Sequence, residues 1–320
     1  MPHSILKRID WFHPDGFPIA VERRDPQEPF GLHAHEFTEI VIITAGRGEH
    51  VTGKESYPLN AGDAFVIGGS RYHDYHSLER LCLVNILFQP EKLGLRTYDL
   101  HTLPGYHALF TFEPAWRRRH QFNGRLRLTP PELVTVMTFV DNLEAELHTR
   151  ARGFRFMATA AFMQIVGFLS RCYAKAKHPD SRALLRIGAA ISHLELNYQK
   201  PINLDELAQI AHMSKRNFIR SFQAAMQISP IAYLVQLRVT RGASLLRHTQ
   251  LNVTEVAFMV GFGDSNYFAR QFHKVLGTTP RQYRQQQADP NLKIGATTLR
   301  PVRIELSPVE SILNPMTELF

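Results

Sequence analysis

Cysteine is scarce in this chain of 320 residues: Cys82 and Cys172 are the only two, too few and too far apart for a disulfide framework. Long apolar runs are missing as well. Every hydrophobic stretch is interrupted well before the roughly 18 residues that suggest a membrane-spanning helix, so no membrane association is expected. The opening segment, MPHSILKRIDWFHPDG, has no apolar stretch followed by a small-residue cleavage site, so no secretory signal is expected either. These absences point to a reduced, cytoplasmic setting. The composition excludes a disordered, collagenous or fibrous chain, since 44% of residues are hydrophobic and Gly and Pro number 19 each.

Acidic residues are in the minority, 29 against 37 Lys and Arg, for a formal charge of +8. The excess is local. Residues 181–290 hold 13 Lys and Arg against 6 Asp and Glu, which leaves 24 against 23 for the rest of the chain. Concentrated positive charge is the footprint of a polyanion binder, because neutralising phosphates releases condensed counterions. A merely basic surface has the same arithmetic, so charge alone does not decide.

An internal repeat does. Residues 204–234 and 253–283 align at an offset of 49 that becomes 50 after one extra residue in the second copy. Leu207, Ala208, Ala211 and Met213 match Val256, Ala257, Val260 and Phe262. Beyond the turn, Phe218, Arg220, Phe222, Pro230 and Tyr233 match Phe268, Arg270, Phe272, Pro280 and Tyr283. Each copy reads as helix, tight turn, helix. Asn203 caps the first helix of copy one and Ser214 the second; in copy two Asp264 or Ser265 caps the second helix. Gly261 and Gly263 are expected to serve the second turn. Phe218 and Phe222, or Phe268 and Phe272, stand four apart on one buried face. That turns Lys215, Arg216, Ile219 and Arg220 outward in copy one, and Ser265, Asn266, Ala269 and Arg270 in copy two. Arg and Asn are residue types that read guanine and adenine edges in the major groove.

The stretch 190–284 resembles the AraC/XylS family of transcription regulators, and the signature lies in VTEVAFMVGFGDSNYFARQFHKVLGTTPRQYR, residues 253–284. The resemblance implies two helix-turn-helix units joined by a central helix, here 230–249. Their recognition helices would enter successive major grooves of double-stranded DNA, about 34 Å apart. By position, Arg216, Ile219 and Arg220 match the base-reading slots of the first unit, and Asn266, Ala269 and Arg270 those of the second.

Residues 17–90 read as short β-branched runs between Gly- and Asn-containing turns, the pattern of a small jelly-roll barrel. The spacing His33-x-His35-x3-Glu39-x6-Gly46 resembles the first motif of the cupins. A partial second motif runs from Pro58 through Gly62 to Ile67, with His73 following. The glycine expected six residues before His33 is replaced by Gln27. His33, His35, Glu39 and His73 line an effector pocket, form a metal site, since imidazoles with a carboxylate suit Fe, Mn, Ni or Zn, or play a purely structural role. Arg47, Tyr57 and Tyr75 are further pocket candidates. Within the family, 33–50, 61–75 and the later stretch 103–114 resemble the rhamnose-operon activators, which implies a hexose or 6-deoxyhexose effector. No nucleophile–base constellation is legible and no cofactor is expected.

From 131 to 175 the periodicity turns helical. Leu133, Val136 or Met137, Val140, Leu143 and Leu147 recur at spacings of three and four. Helices here mediate dimerisation in the family; packing within the domain is the other reading. Residues 175–181 read as a linker and 182–198 as the first helix of the DNA-binding part. The expected fold class is thus α+β. A cupin-like sensing barrel occupies 1–125, a helical dimerisation segment 126–177, an all-α domain with two helix-turn-helix units 181–286, and a tail 287–320. The function implied is a homodimeric activator of carbohydrate catabolism genes that binds DNA, a small sugar and RNA polymerase. A metal-dependent cupin enzyme fused to a DNA-binding module is the alternative. A constitutive architectural DNA binder is a third class.

Overall fold

The computed structural model describes residues 4–53, 55–68, 71–94, 99–117 and 122–288; the expected tail lies almost wholly outside them. The chain forms two compact units, one reaching to Gly188 and the other beginning at Ala189. The division falls inside a helix and not in the polar stretch 175–181, because Pro179 already starts that helix.

In the first unit, β1 (Ser4–Leu6) and α1 (Arg8–Trp11) precede β2 (Ile19–Arg24), β3 (His33–His35), β4 (Thr38–Thr52), β5 (Glu55–Asn60), β6 (Asp63–Ile67) and β7 (Asp74–Phe88). Two short helices, α2 (Pro104–Tyr106) and α3 (Glu113–Trp116), then lead through β8 (Leu126–Arg127) to α4 (Pro130–Thr149) and α5 (Phe154–Ala174). The main sheet runs β2-β7-β4-β6-β8, with β5 also on β4; β1 pairs with β3 in a separate two-stranded ladder. Among the described residues these ladders form an open path rather than a ring, so the β-rich half is cupin-like without a closed circuit of hydrogen bonds.

Strand alternation divides the labour of this sheet. In β4 and β7, Ile40 stands opposite Ile86, and Ile42 opposite Val84. That face meets the helices: Phe88 packs on Phe162 of α5 at 5.0 Å, and Arg23 of β2 reaches Glu144 of α4 at 2.7 Å. The other face carries Val41, Ile43, Phe65, Tyr75 and Leu83, which form a buried core with Phe122. α4 starts at a capping box in which Thr129 and Glu132 satisfy each other's backbone amides. Val136, Val140 and Leu143 are its buried stripe, while Leu133 and Leu147 are only half-buried. On α5, Phe156 and Met157 remain 77% and 50% exposed, although the sequence is apolar nearly all round.

The second unit takes the end of α6 (Pro179–Asn197), then α7 (Leu204–Ile210), α8 (Lys215–Met226), α9 (Pro230–His248), α10 (Val253–Met259), α11 (Ser265–Leu276) and α12 (Pro280–Ala288). The repeat survives in its aromatic packing. Phe218 meets Phe222 at 5.7 Å and Phe222 meets Tyr233 at 5.9 Å; Phe268 meets Phe272 at 5.5 Å and Phe272 meets Tyr283 at 5.5 Å. It survives in the backbone too. His212 and Gly261, one repeat apart, both end the first helix in the left-handed region, at φ +49° and +90°. Only the second position requires glycine for space, since a Cβ on Gly261 would meet Gln199 O at 2.7 Å. Gly263 has no positive φ, so the expected second turn glycine is not needed for its conformation. Buried Glu195 of α6 accepts from Tyr233 Oη at 2.7 Å, which anchors the end of that helix to α9.

Candidate functional site

A cleft of about 440 Å³, its open mouth included, lies on one side of the β-rich sheet. Register explains who lines it. Glu39 stands opposite Leu87, Glu22 opposite Asn85 and Ala20 opposite Leu87, so the same alternation turns Glu22, Arg24, Glu39, Asn85 and Leu87 to the cleft. β3 adds His33 and His35, two residues apart and hence on one face. His73 pairs with His33 through an isolated bridge, and that brings the fourth predicted residue alongside.

The four residues of the cupin-like spacing therefore converge. His35 Nε2 lies 3.2 Å and His73 Nε2 3.8 Å from Glu39 Oε2, with all three side chains at most 4% exposed. The His33 ring stands 4.3 Å from that of His73. Burial alone would raise the Glu39 carboxyl, but His35 beside it outweighs burial and holds it below its ordinary range. Burial pushes His73 down to about 3, so its ring is neutral near pH 7. Behind them, His50 is fully buried and held well below its usual value by desolvation. Tyr75 also lines the cleft, as expected; its buried hydroxyl makes no hydrogen bond among the described residues.

Two expected pocket residues are elsewhere. The Arg47 side chain is 71% exposed and pairs with Glu79 at 3.2 Å, because the pairing of β4 with β7 shifts register at the bulge between Ala45 and Arg47. Tyr57 is buried in the core beside Phe122, 5.4 Å between rings, with its hydroxyl on Glu55. Conversely, sequence reading missed Trp11, Glu22, Arg24, Gln27, Phe30 and Asn85. The signal for Glu22 and Arg24 was available in principle. They are polar residues at every second position of a strand, and their alternation partners Ile19 and Val21 identify the opposite face.

In the second unit, Lys215, Arg216 and Arg220 are exposed on α8 and Asn266 and Arg270 on α11, while Ile219, Ser265 and Ala269 are half-buried at the edges of those faces. Asp264 is the cap of α11, accepting from Asn266 and Tyr267 at 3.0 and 2.9 Å; Ser214 caps α8 through Asn217. Lys215 reaches Asp205 at 2.9 Å and Arg220 reaches Asn217 at 2.9 Å.

Residues 207–286 match the Helix-turn-helix domain family and residues 18–137 the AraC-like ligand binding domain family. The chain is 31% identical over 286 residues to the HTH-type transcriptional activator RhaR of Escherichia coli K12, across 89% of this chain and 98% of that one. This chain belongs to the AraC family of transcription regulators. RhaR of Mannheimia succiniciproducens is similar at 30% identity, covering 87% of this chain and 96% of its own. A crystal structure of an AraC-type transcriptional regulator from Chromobacterium violaceum is 28% identical over 33% of this chain and 94% of that one, with a TM-score of 0.31. As an AraC-family member the chain binds DNA through its helix-turn-helix half and is a regulator rather than an enzyme. No helix among its described residues is long and apolar enough to cross a membrane.

Proposed function

We propose that this AraC-family regulator activates genes of carbohydrate catabolism when a small sugar of the hexose or 6-deoxyhexose class occupies the β-lined cleft. The observation that carries the reading is the make-up of that cleft. Hydrogen-bonding side chains of both kinds, Glu22, Arg24, Gln27 and Asn85 among them, face the apolar rings of Trp11 and Phe30. Sugars present the matching pair of surfaces, a ring of hydroxyls and a flat C–H face. His33, His35, Glu39, His73 and Tyr75 are the effector residues kept from the sequence reading; Arg47 is not among them. On the DNA side, Lys215, Arg216, Ile219 and Arg220 of α8 and Ser265, Asn266, Ala269 and Arg270 of α11 contact the operator. Arg220 and Arg270 read base edges, and Ile219 and Ala269 meet thymine methyls.

Exposed Phe156 and Met157 on α5 support a homodimer, which would present two DNA-binding halves to one promoter and so recruit RNA polymerase. Effector binding favours the promoter-bound arrangement by binding one conformational state better than the other. A thermal-shift screen of monosaccharides against the purified chain tests the sugar reading. One or a few hexoses or 6-deoxyhexoses should raise Tm, and Glu22→Ala with Asn85→Ala should abolish the rise. A flat response to every sugar overturns it.

A further inference from the structure

The hydrogen bonds at the floor of the cleft decide which atoms its histidines present. The Nδ1 atoms of His33, His35 and His73 meet the carbonyl oxygens of Gly31, Phe37 and Arg71 at 2.8, 2.6 and 3.2 Å. A carbonyl only accepts, so each Nδ1 carries the proton, and the Nε2 of a neutral ring is left with a lone pair. The Nε2 atoms of His35 and His73 are buried without a well-aligned hydrogen bond among the described residues, although both face Glu39 Oε2 at 3.2 and 3.8 Å. One ligand atom from each of His35, Glu39 and His73 lies within 4.8 Å of the other two.

With both rings neutral, three electron-pair donors aimed at one another in a buried place are mutually repulsive and individually costly. A proton on one imidazole satisfies a single contact and leaves the other nitrogen unpaired. A cation that accepts all three donors at once removes both problems. We propose that His35, Glu39 and His73 hold one divalent first-row transition-metal ion, with His33 beside them.

Two imidazoles and one carboxylate are a donor set of borderline softness, suited to Mn, Fe, Co, Ni or Zn rather than to Ca or Mg. The backbone carbonyls on Nδ1 are the outer contacts that orient imidazole ligands and raise their basicity. Three protein ligands leave coordination positions open toward the cleft, where oxygen atoms of a bound effector can enter. Binding of the ion itself needs no effector, so its test is independent of the sugar reading.

The untagged full chain, stripped with a chelator and dialysed, is titrated with Co(II), followed by visible absorption, and with Zn(II), Mn(II) and Ni(II) by calorimetry. One ion per chain is expected for at least one of them. Glu39→Gln and His73→Gln should weaken binding by more than about 100-fold, beyond what outer-contact substitutions cost. His76→Ala, at the exposed partner of Asp74, should bind as the parent does. Far-UV circular dichroism of each variant checks that it is folded. Pulsed electron paramagnetic resonance of the Cu(II)-loaded parent gives a readout that needs no variant, and should show at least two imidazole nitrogens. A folded parent that takes up no stoichiometric ion, a Cu(II) spectrum with no imidazole nitrogen, or parent-like affinity in both folded variants overturns the site.

Discussion

Gly46 sits at a bulge of β4 with φ +69°, and a Cβ built on it would stand 2.0 Å from Arg80 O and 2.7 Å from Glu79 O. Backbone, not a flexible side chain, blocks the space, so nothing nearby yields cheaply. Gly46→Ala should destabilise the β-rich unit by about 2–4 kcal/mol, read as a lower urea midpoint at unchanged slope. An unchanged midpoint would mean that the bulge relaxes freely. Asp15 offers a pH-dependent case. Slight desolvation raises its carboxyl, but the Phe17 amide, His13 and Arg150 outweigh this and hold it at about 2. A carboxyl depressed in the folded state stabilises above its unfolded pKa, and the contribution is lost as pH falls toward 2. Asp15→Asn should therefore lower Tm near neutral pH, and the gap to the parent should narrow as pH falls toward 2. A gap independent of pH would show that the carboxylate's charge does not matter there.

At the scale of elements, the two helix-turn-helix copies share their caps as well as their cores. Asn203 and Asn252 cap the first helices through Glu206 N and Glu255 N at 2.9 Å each, and Ser214 and Asp264 cap the second. The outward faces are what differ. α8 presents Lys215, Arg216 and Arg220, whereas α11 presents Asn266 and Arg270 beside small residues. Arg220→Ala and Arg270→Ala should each cost about 1–3 kcal/mol at a specific operator in matched salt. Lys215→Ala should weaken specific and non-specific DNA alike and lessen the salt dependence. Footprints identical to the parent for both arginine variants would refute the assignment of these helices to base reading.

For the whole molecule, the exposed pair Phe156 and Met157 has a direct consequence. Replacing both with serine removes little from the interior of the chain, so far-UV circular dichroism should be unchanged. Sedimentation should shift from dimer toward monomer, and operator affinity should fall with it. A double variant that still sediments as the parent does would overturn the reading of this pair as a dimer contact. The helical half was legible in the sequence because two copies of one pattern report each other's core, caps and turn, and because the aromatic contacts within each copy join residues near one another in the chain. The pocket was legible at His33, His35 and Glu39, whose spacing along adjoining strands is short-range, and at His73 and Tyr75 beyond the partial second motif.

What the sequence determined alone was the AraC-type repeat and the β-rich half before it. Each follows from a period or spacing that the backbone geometry of one element converts into a face. Only the tertiary structure decided that Arg47 points to solvent and that Glu22, Arg24 and Asn85 line the cleft, because strand register and a bulge set those orientations. It also decided that two imidazole nitrogens face one carboxylate without a hydrogen bond, since His73 reaches Glu39 only through its bridge to β3. Long-range pairing is not written in any local pattern, and the chemistry of the cleft rests on it.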